Sequence, residues 1–197
     1  MIITIGREHG SGGHEIARAL GEALGYACYD KEIVDQAAEN SQFSREVLAS
    51  FDEKRVSPYV IPAPNYVGLG ESFRLNLQVA AAQFDAIRSL AEKGDAIFVG
   101  RCADYVLRSR KDMLRVFIQA GEENRIRAMM RRRELTQEQA KKLIRQVDKD
   151  RASYYRYYTD QIWGERENYD LILNSDKTGY DGAVRIIQTV VKTMEAE

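Results

Sequence analysis

The sequence lacks the features that mark several classes of protein. Its 197 residues include only two cysteines, Cys28 and Cys102, which indicate no disulfide framework and fit a reducing compartment. No apolar run approaches the ~18 residues typical of a membrane span. The start has no basic segment followed by an apolar one, so we expect no signal peptide. These absences together predict a cytoplasmic protein with no membrane partner.

An excess of one charge is also lacking, because the net charge is −1. The whole molecule therefore has no general attraction to nucleic acid, and we expect no nucleic-acid partner. Residues 125–156 depart from this balance, with 11 Arg or Lys against 4 Asp or Glu. Most of these side chains are best explained as the solvated face of a helix. With 44% hydrophobic residues, the chain is long enough for one domain with its own core.

Proline is scarce and confined to one stretch. All three prolines fall within residues 54–71, together with two glycines: Pro58, Pro62, Pro64, Gly68 and Gly70. This composition predicts a long loop. Loops of this length are usually functional or mobile.

Apolar runs and helical periodicity alternate along the chain. The apolar runs predict five short buried strands, at residues 1–5, 26–29, 95–99, 113–118 and 169–173. Periodicity and capping residues predict helices that begin near His14, Asp30, Ser44, Ser72, Cys102, Glu122, Thr136 and Gly179. The helix from Cys102 is expected to reach residue 109, and residues 174–176 are expected to form a loop. Such alternation predicts an α/β fold whose parallel sheet is covered by helices on both faces.

The stretch after the first strand is rich in glycine. Gly10, Gly12 and Gly13 lie between the strand and a helix that opens near His14. In a strand–turn–helix unit, backbone N–H groups at the helix N-terminus hold phosphate, and glycine lets the backbone approach it. The alternative interpretation is a tight turn without a ligand.

This glycine loop departs from the usual phosphate-binding pattern, G-x-x-x-x-G-K-[ST]. If Gly12 is the second glycine of the pattern, Arg7 replaces the first glycine and Gly13 replaces the lysine. Starting from Gly6 instead places Ser11 at the second glycine. Neither register supplies the lysine.

Ligands in parallel α/β sheets bind beyond the carboxyl ends of the strands. That rule selects four places in the chain: the glycine loop, Asp30 with Lys31, Gly100 with Arg101, and Asn174. A cationic side chain at the mouth of a glycine loop suits phosphate.

One arginine of the basic segment falls on the apolar face of its helix. On the helix that opens with a capping box at Thr136, Arg151 lies in the middle of the inward stripe, whereas Arg156 lies on the outer face. A buried arginine requires an anionic partner, either a carboxylate or a nucleotide phosphate. The aromatic residues nearby are interpreted as core or as a subunit interface rather than as a base-stacking platform: Tyr154, Tyr155, Tyr157, Tyr158 and Trp163.

The order of these features resembles that of P-loop nucleoside monophosphate kinases, and most closely the cytidylate-kinase-like family. The resemblance covers essentially the whole chain and rests on five stretches: 5–13, 29–33, 100–101, 150–151 and 169–174. It implies a three-layer P-loop kinase fold with a five-stranded parallel sheet. It also implies a single domain over residues 1–197, with an acceptor-binding insertion at about 31–94 and a helical lid at about 120–165.

The activity implied by the resemblance is phosphoryl transfer from ATP, with Mg²⁺, to CMP or dCMP. The segment implied for ATP binding is Gly10, Ser11, Gly12, Gly13, His14 and Glu15, the last two standing where a Ser or Thr usually reaches the metal. Asp30, Lys31 and Arg101 would bind the acceptor, with Arg101 on its monophosphate. Arg151 would act on the transferring group. Because this chemistry depends on neutralising charge, Arg7 or Lys31 is expected to replace the missing lysine.

Two other functions are compatible with the same residues. One is a nucleotide-binding or regulatory protein without turnover, and the other is a kinase of a different small acceptor. The aromatic and apolar surface of the lid segment also allows a homodimer.

Overall fold

A single parallel sheet forms the centre of the molecule. The computed structural model describes residues 1–55 and 67–196, and no side chains are described for residues 67–73. Five strands lie in the order β2-β3-β1-β4-β5: β1 (Ile2–Arg7), β2 (Ala27–Tyr29), β3 (Ala96–Val99), β4 (Met113–Gln119) and β5 (Leu171–Asn174). Every pairing between neighbours is parallel. The predicted α/β fold with a five-stranded parallel sheet is confirmed.

Helices follow the strands and connect them. They are α1 (Gly13–Leu24), α2 (Lys31–Glu39), α3 (Arg45–Phe51), α4 (Val67–Ala91), α5 (Ala103–Val106), α6 (Glu122–Arg133), α7 (Gln137–Thr159) and α8 (Ser175–Glu195). The capping box of Thr136 opens α7 as its sequence predicts, and Gly25 ends α1 in the left-handed conformation with a φ of 72°.

The core lies on both faces of the sheet, because the central strand is apolar on both sides. Ile3 and Ile5 of β1 pack with residues of α1 and α8, whereas Ile2 packs with residues of α2, α3 and α4. All three isoleucines are fully buried. The result is a helix–sheet–helix sandwich that fixes the carboxyl end of β1, from which the glycine loop emerges.

Several boundaries differ from those that the sequence predicts. Strand β1 ends at Arg7 rather than Ile5, and β5 begins at Leu171 rather than Tyr169. Helix α4 begins at Val67 rather than Ser72; residues 56–66 of the predicted loop, with all three prolines, lie outside the described residues. Helix α5 begins only at Ala103, because Arg101 and Cys102 have positive φ angles of 51° and 55°, and it ends at Val106 rather than at residue 109. Residues 174–176 are not a loop: Asn174 caps α8, which starts at once and is broken at Gly179, where φ is 64°.

The described parts of the chain, residues 1–55 and 67–196, contain no helix with the length and apolar character needed to cross a membrane.

Candidate active site

The carboxyl ends of three adjacent strands bring the predicted site residues together. Arg7 ends β1, Asp30 follows β2, and Arg101 follows β3 after Gly100. Asp30 stands at the N-cap of α2 as predicted, but its side chain does not cap that helix. Instead it accepts a hydrogen bond from the guanidinium of Arg101. An ion pair with a buried guanidinium outweighs a capping bond, which contributes ~1 kcal/mol.

The glycine loop opens α1 towards a cleft. Gly10 and Gly12 have φ angles of 85° and 84°, which other residues rarely adopt, and Gly12 is the N-cap of α1. Ser11 is fully buried beneath the loop, where its hydroxyl donates to the Glu8 carbonyl and its own carbonyl accepts from the hydroxyl of Ser175. The first N–H groups of α1 have no partner within the helix, so they are free to bind an anion in the cleft.

Arg7 and Gly13 fit each other, and this explains two departures from the usual pattern together. A Cβ atom added to Gly13 would lie 2.5 Å from the Arg7 Cβ and 2.8 Å from its Cγ. The stem of Arg7 therefore passes directly over the position where the usual lysine begins. With arginine at residue 7, only glycine fits at residue 13.

Three arginines surround one carboxylate. The guanidinium of Arg7 donates to both oxygens of Glu53, at 2.6 and 2.9 Å, and Arg151 Nε donates to Glu53 at 3.0 Å. The backbone N–H of Arg101 donates to the same carboxylate at 3.1 Å. Although burial favours the neutral acid, Arg7, Arg151 and Arg101 hold the pKa of Glu53 well below its usual value. The inward position of Arg151 is confirmed, and its partner in the structure is a carboxylate.

Arg101 is the most enclosed of the three arginines, with a side chain only 4% exposed. It forms a bidentate pair with Asp52, a second pair with Asp30, and a hydrogen bond to the Val99 carbonyl. Burial opposes its charge, but the carboxylates of Asp52, Glu53 and Asp30 raise the pKa of Arg101. Its donors are therefore largely used within the protein.

Helices α6 and α7 lie against the glycine loop. The backbone N–H of His9 donates to Asp148 of α7 at 2.7 Å, and Asp148 also pairs with Arg125 of α6. Burial, followed by the charges of Arg151 and other arginines, lowers the pKa of His9 to about 4. His9 is therefore neutral at physiological pH and adds no charge to the cleft.

The ring of Tyr180 covers the other side of the loop. A Cβ atom at Gly12 would collide with this ring, and Arg132 donates to the Tyr180 hydroxyl at 3.3 Å. Tyr180 follows Gly179, the residue at which α8 is broken.

The remaining predicted residues line the cleft but do not contact Glu53. His14 is hydrogen-bonded to Asp30 at 2.7 Å, and Glu15 forms an ion pair with Arg132 at 2.6 Å. Both line the cleft together with Lys31. The described part of the chain contains no group of three or more His, Cys, Asp or Glu side chains placed to hold a metal.

The aromatic residues of α7 belong to the core, which is one of the two interpretations, core or subunit interface, that the sequence favours. Tyr154 and Tyr155 are each 4% exposed and pack around Cys102. The Tyr154 hydroxyl donates to the side chain of Gln83 at 3.1 Å, and this hydrogen bond joins α7 to α4.

Sequence reasoning did not select Asp52, Glu53 or Asp148. Asp52 and Glu53 could have been noticed in the sequence because they follow the C-terminal end of α3. The helix dipole disfavours acidic residues there, so two of them in a row suggest another role. Asp148 gave no signal, because its contact with His9 joins residues 139 positions apart.

Comparisons with known proteins agree with this architecture. The model of the cytidylate kinase-like family matches residues 2–177. No curated protein sequence matches the chain. Among solved structures, an uncharacterized protein from Eubacterium ventriosum is similar over 98% of both chains, with 26% identity and a TM-score of 0.75.

Two shikimate kinases share the fold at lower identity. The enzyme from Bacteroides thetaiotaomicron has a TM-score of 0.57 and 15% identity over 98% of both chains. The enzyme from Acinetobacter baumannii, in complex with shikimate, has a TM-score of 0.54 and 15% identity over 98% of this chain and 93% of its own. The predicted P-loop kinase fold is thereby confirmed.

Proposed function

The chain belongs to the cytidylate kinase-like family, and from that premise we propose that it is an ATP- and Mg²⁺-dependent phosphotransferase acting on a small acceptor. CMP or dCMP is the first candidate acceptor. The observation that carries the proposal is that Arg7 and Arg151 meet beside the glycine loop, with Arg101 behind them. Phosphoryl transfer needs this combination, because its catalysis consists mainly of positioning and of neutralising phosphate charge.

In this proposal different helices bind ATP, bind the acceptor and form the lid. ATP binds with its phosphates against Gly10, Gly12 and Gly13 at the N-terminus of α1, where N–H groups and the helix dipole favour anions. Helices α2 to α4, within about residues 31–94, receive the acceptor. Helices α6 and α7, within about residues 120–165, form the lid that carries Arg151.

Arg7 supplies the charge that the missing lysine would provide. Its stem crosses Gly13, and its guanidinium lies within the same arginine group as Arg151. A guanidinium also matches phosphate oxygens in pairs, which a lysine ammonium does not. Lys31 is the less direct substitute, since it lies on the exposed side of the cleft.

Asp30, one of the carboxylates that line the cleft, is proposed to hold Mg²⁺ when the ion is bound. In kinases this ion is usually held by one or two carboxylates together with substrate phosphates. Burial works against the charge of Asp30, but Arg101 and Arg7 lower its pKa, so the carboxylate is ionised where it lines the cleft. When bound, Mg²⁺ neutralises phosphate charge, and Asp30 would exchange its hydrogen bond with His14 for the ion.

A second acceptor class is favoured by the ion pairs of Arg101. A phosphate could bind its guanidinium only if Asp52 or Asp30 moved away. An acceptor that brings a hydroxyl group, without a phosphate for Arg101, would leave both pairs intact. Small hydroxyl compounds are therefore the second candidate acceptors.

The decisive experiment is a steady-state assay of ADP formation with ATP and Mg²⁺. Acceptors are the common nucleoside monophosphates, their deoxy forms, and small uncharged hydroxyl compounds. Turnover with a pyrimidine monophosphate supports the first candidate, and turnover with an uncharged hydroxyl compound supports the second. ATP binding without turnover on any acceptor would indicate a nucleotide-binding protein and contradict the proposal.

Arginine variants test whether Arg7 supplies the positive charge of the missing lysine. We expect Arg7→Ala to lower kcat by about 100-fold or more. Arg18→Ala should leave kcat unchanged, because the Arg18 side chain is 73% exposed and pairs with Glu22 of the same helix. If Arg7→Ala and Lys31→Ala both retain full turnover, neither residue replaces the lysine.

A further inference from the structure

Glu53 is held in the way that a protein holds a bound anion. Its carboxylate accepts two hydrogen bonds from Arg7, one from Arg151 and one from the backbone N–H of Arg101, all between 2.6 and 3.1 Å. The side chain is only 13% exposed. Bidentate pairing with an arginine and a further backbone donor is a geometry typical of carboxylate and phosphate ligands.

The backbone at this position is also unusual. Glu53 has a φ of 50°, a left-handed conformation that is unfavourable for a residue other than glycine. It lies two residues after the end of α3 and is followed by Lys54 and Arg55, which are both exposed. The carboxylate therefore belongs to a connecting segment rather than to the rigid sheet.

The donors that hold Glu53 are the ones that the proposed reaction requires for the transferring phosphoryl group. Arg7 crosses the place of the usual lysine at Gly13, and Arg151 reaches in from the lid helix α7. A γ-phosphate cannot use these guanidinium groups while a carboxylate occupies them, because two anions would then share one set of donors.

We propose that Glu53 is an internal competitor of the γ-phosphate of ATP, and that its carboxylate leaves the arginines when a nucleoside triphosphate binds. The ligand class is therefore a phosphoryl oxyanion at the end of a polyphosphate chain. In the absence of substrate, Glu53 keeps Arg7 and Arg151 in place and prevents their mutual repulsion. It also reduces the apparent affinity for ATP by the fraction of molecules in which the site is already filled.

The test compares ATP with ADP, since only ATP carries the competing phosphate. Calorimetry measures both affinities in the wild type, in Glu53→Gln, and in Asp52→Asn. Asp52→Asn is the matched control, because it removes one negative charge from the neighbouring residue, which contacts Arg101 but neither Arg7 nor Arg151. We expect Glu53→Gln to bind ATP at least tenfold more tightly while its affinity for ADP changes less than threefold. Asp52→Asn should change both by less than threefold.

An equal gain for ATP and ADP in Glu53→Gln, or no gain for ATP beyond that of Asp52→Asn, would overturn the inference. A second measurement uses only the wild type, so that it decides the question even if the variant does not fold. Trypsin cleaves after Lys54 and Arg55, directly beside Glu53. ATP should accelerate this cleavage and ADP should not. Unchanged or slower cleavage under saturating ATP contradicts release of the carboxylate.

The inference rests on the proposed binding of ATP, but the two fail in different ways. If neither nucleotide binds, the proposed function is wrong and the inference falls with it. If both nucleotides bind and the ratio of their affinities is the same in the wild type and in Glu53→Gln, only the inference is wrong.

Discussion

The close approach of Arg7 and Gly13 gives a quantitative prediction for Gly13→Ala. The new Cβ would lie 2.5 Å from the Arg7 Cβ, an atom fixed to the central strand, so the methyl group cannot be accommodated by rotating a flexible side chain. Overpacking of this kind costs about 1–3 kcal/mol. For a chain of this length, each 1 kcal/mol lowers Tm by about 2–4 °C. We therefore expect Tm to fall by roughly 2–12 °C in a thermal unfolding scan followed by circular dichroism.

A double-mutant cycle separates this contact from other effects of alanine. Arg7→Gly removes both atoms that the new methyl group would meet, so Gly13→Ala should cost at least ~1 kcal/mol less in the Arg7→Gly background than in the wild type. Gly182→Ala on α8 is the control, because its Cβ would meet its nearest neighbour at an ordinary 3.5 Å. We expect this control to be neutral or stabilising by up to ~1 kcal/mol. An equal cost of Gly13→Ala in both backgrounds would refute the idea that residues 7 and 13 are fitted to each other.

Two further predictions concern buried charge. Arg101→Ala removes the guanidinium partner of the partly buried carboxylates of Asp52 and Asp30, and should destabilise the protein by about 3–5 kcal/mol in urea unfolding. Arg156→Ala, whose side chain is 60% exposed, should change stability by no more than about 0.5 kcal/mol. Similar losses for both variants would contradict the ion-pair network. The second prediction follows from His9, whose pKa is about 4 in the folded protein and about 6.5 when unfolded. Because the unfolded state then binds more protons, stability from this residue is complete above pH 6.5 and is lost as the pH falls towards 4. The slope of stability against pH in that window should be smaller in His9→Gln, and identical slopes would show that His9 does not titrate in this way.

Much of the site could be predicted because its residues are fixed by local patterns. The run of β-branched residues in β1 and the glycines after it predict the strand, the turn and α1. The inward position of Arg151 follows from helical periodicity alone. The rule that ligands bind at the carboxyl ends of parallel strands then brings Asp30 and Arg101 to the same edge.

The partners of these residues could not be predicted, because they depend on contacts distant in sequence. Glu53 meets Arg151 across 98 positions, and nothing in the local pattern of either residue selects the other. The pairing of Arg7 with Gly13 escaped prediction for a different reason. Each residue was recognised as a departure from the phosphate-loop pattern, but only the packing of side-chain atoms shows that the two departures form one arrangement.

The position of β1 in the middle of the sheet has a consequence for the order in which the protein forms during synthesis. Both neighbours of β1 come from much later in the chain, since Ile2 pairs with Ala96 on one side and with Met113 on the other. At roughly 5–20 residues per second, a ribosome needs several seconds to make that intervening stretch. During this interval β1, with its three buried isoleucines, has neither of its two sheet neighbours. The sheet around the glycine loop can therefore be completed only after β4 has been made, and until then the unpaired backbone of β1 is exposed to association with other chains.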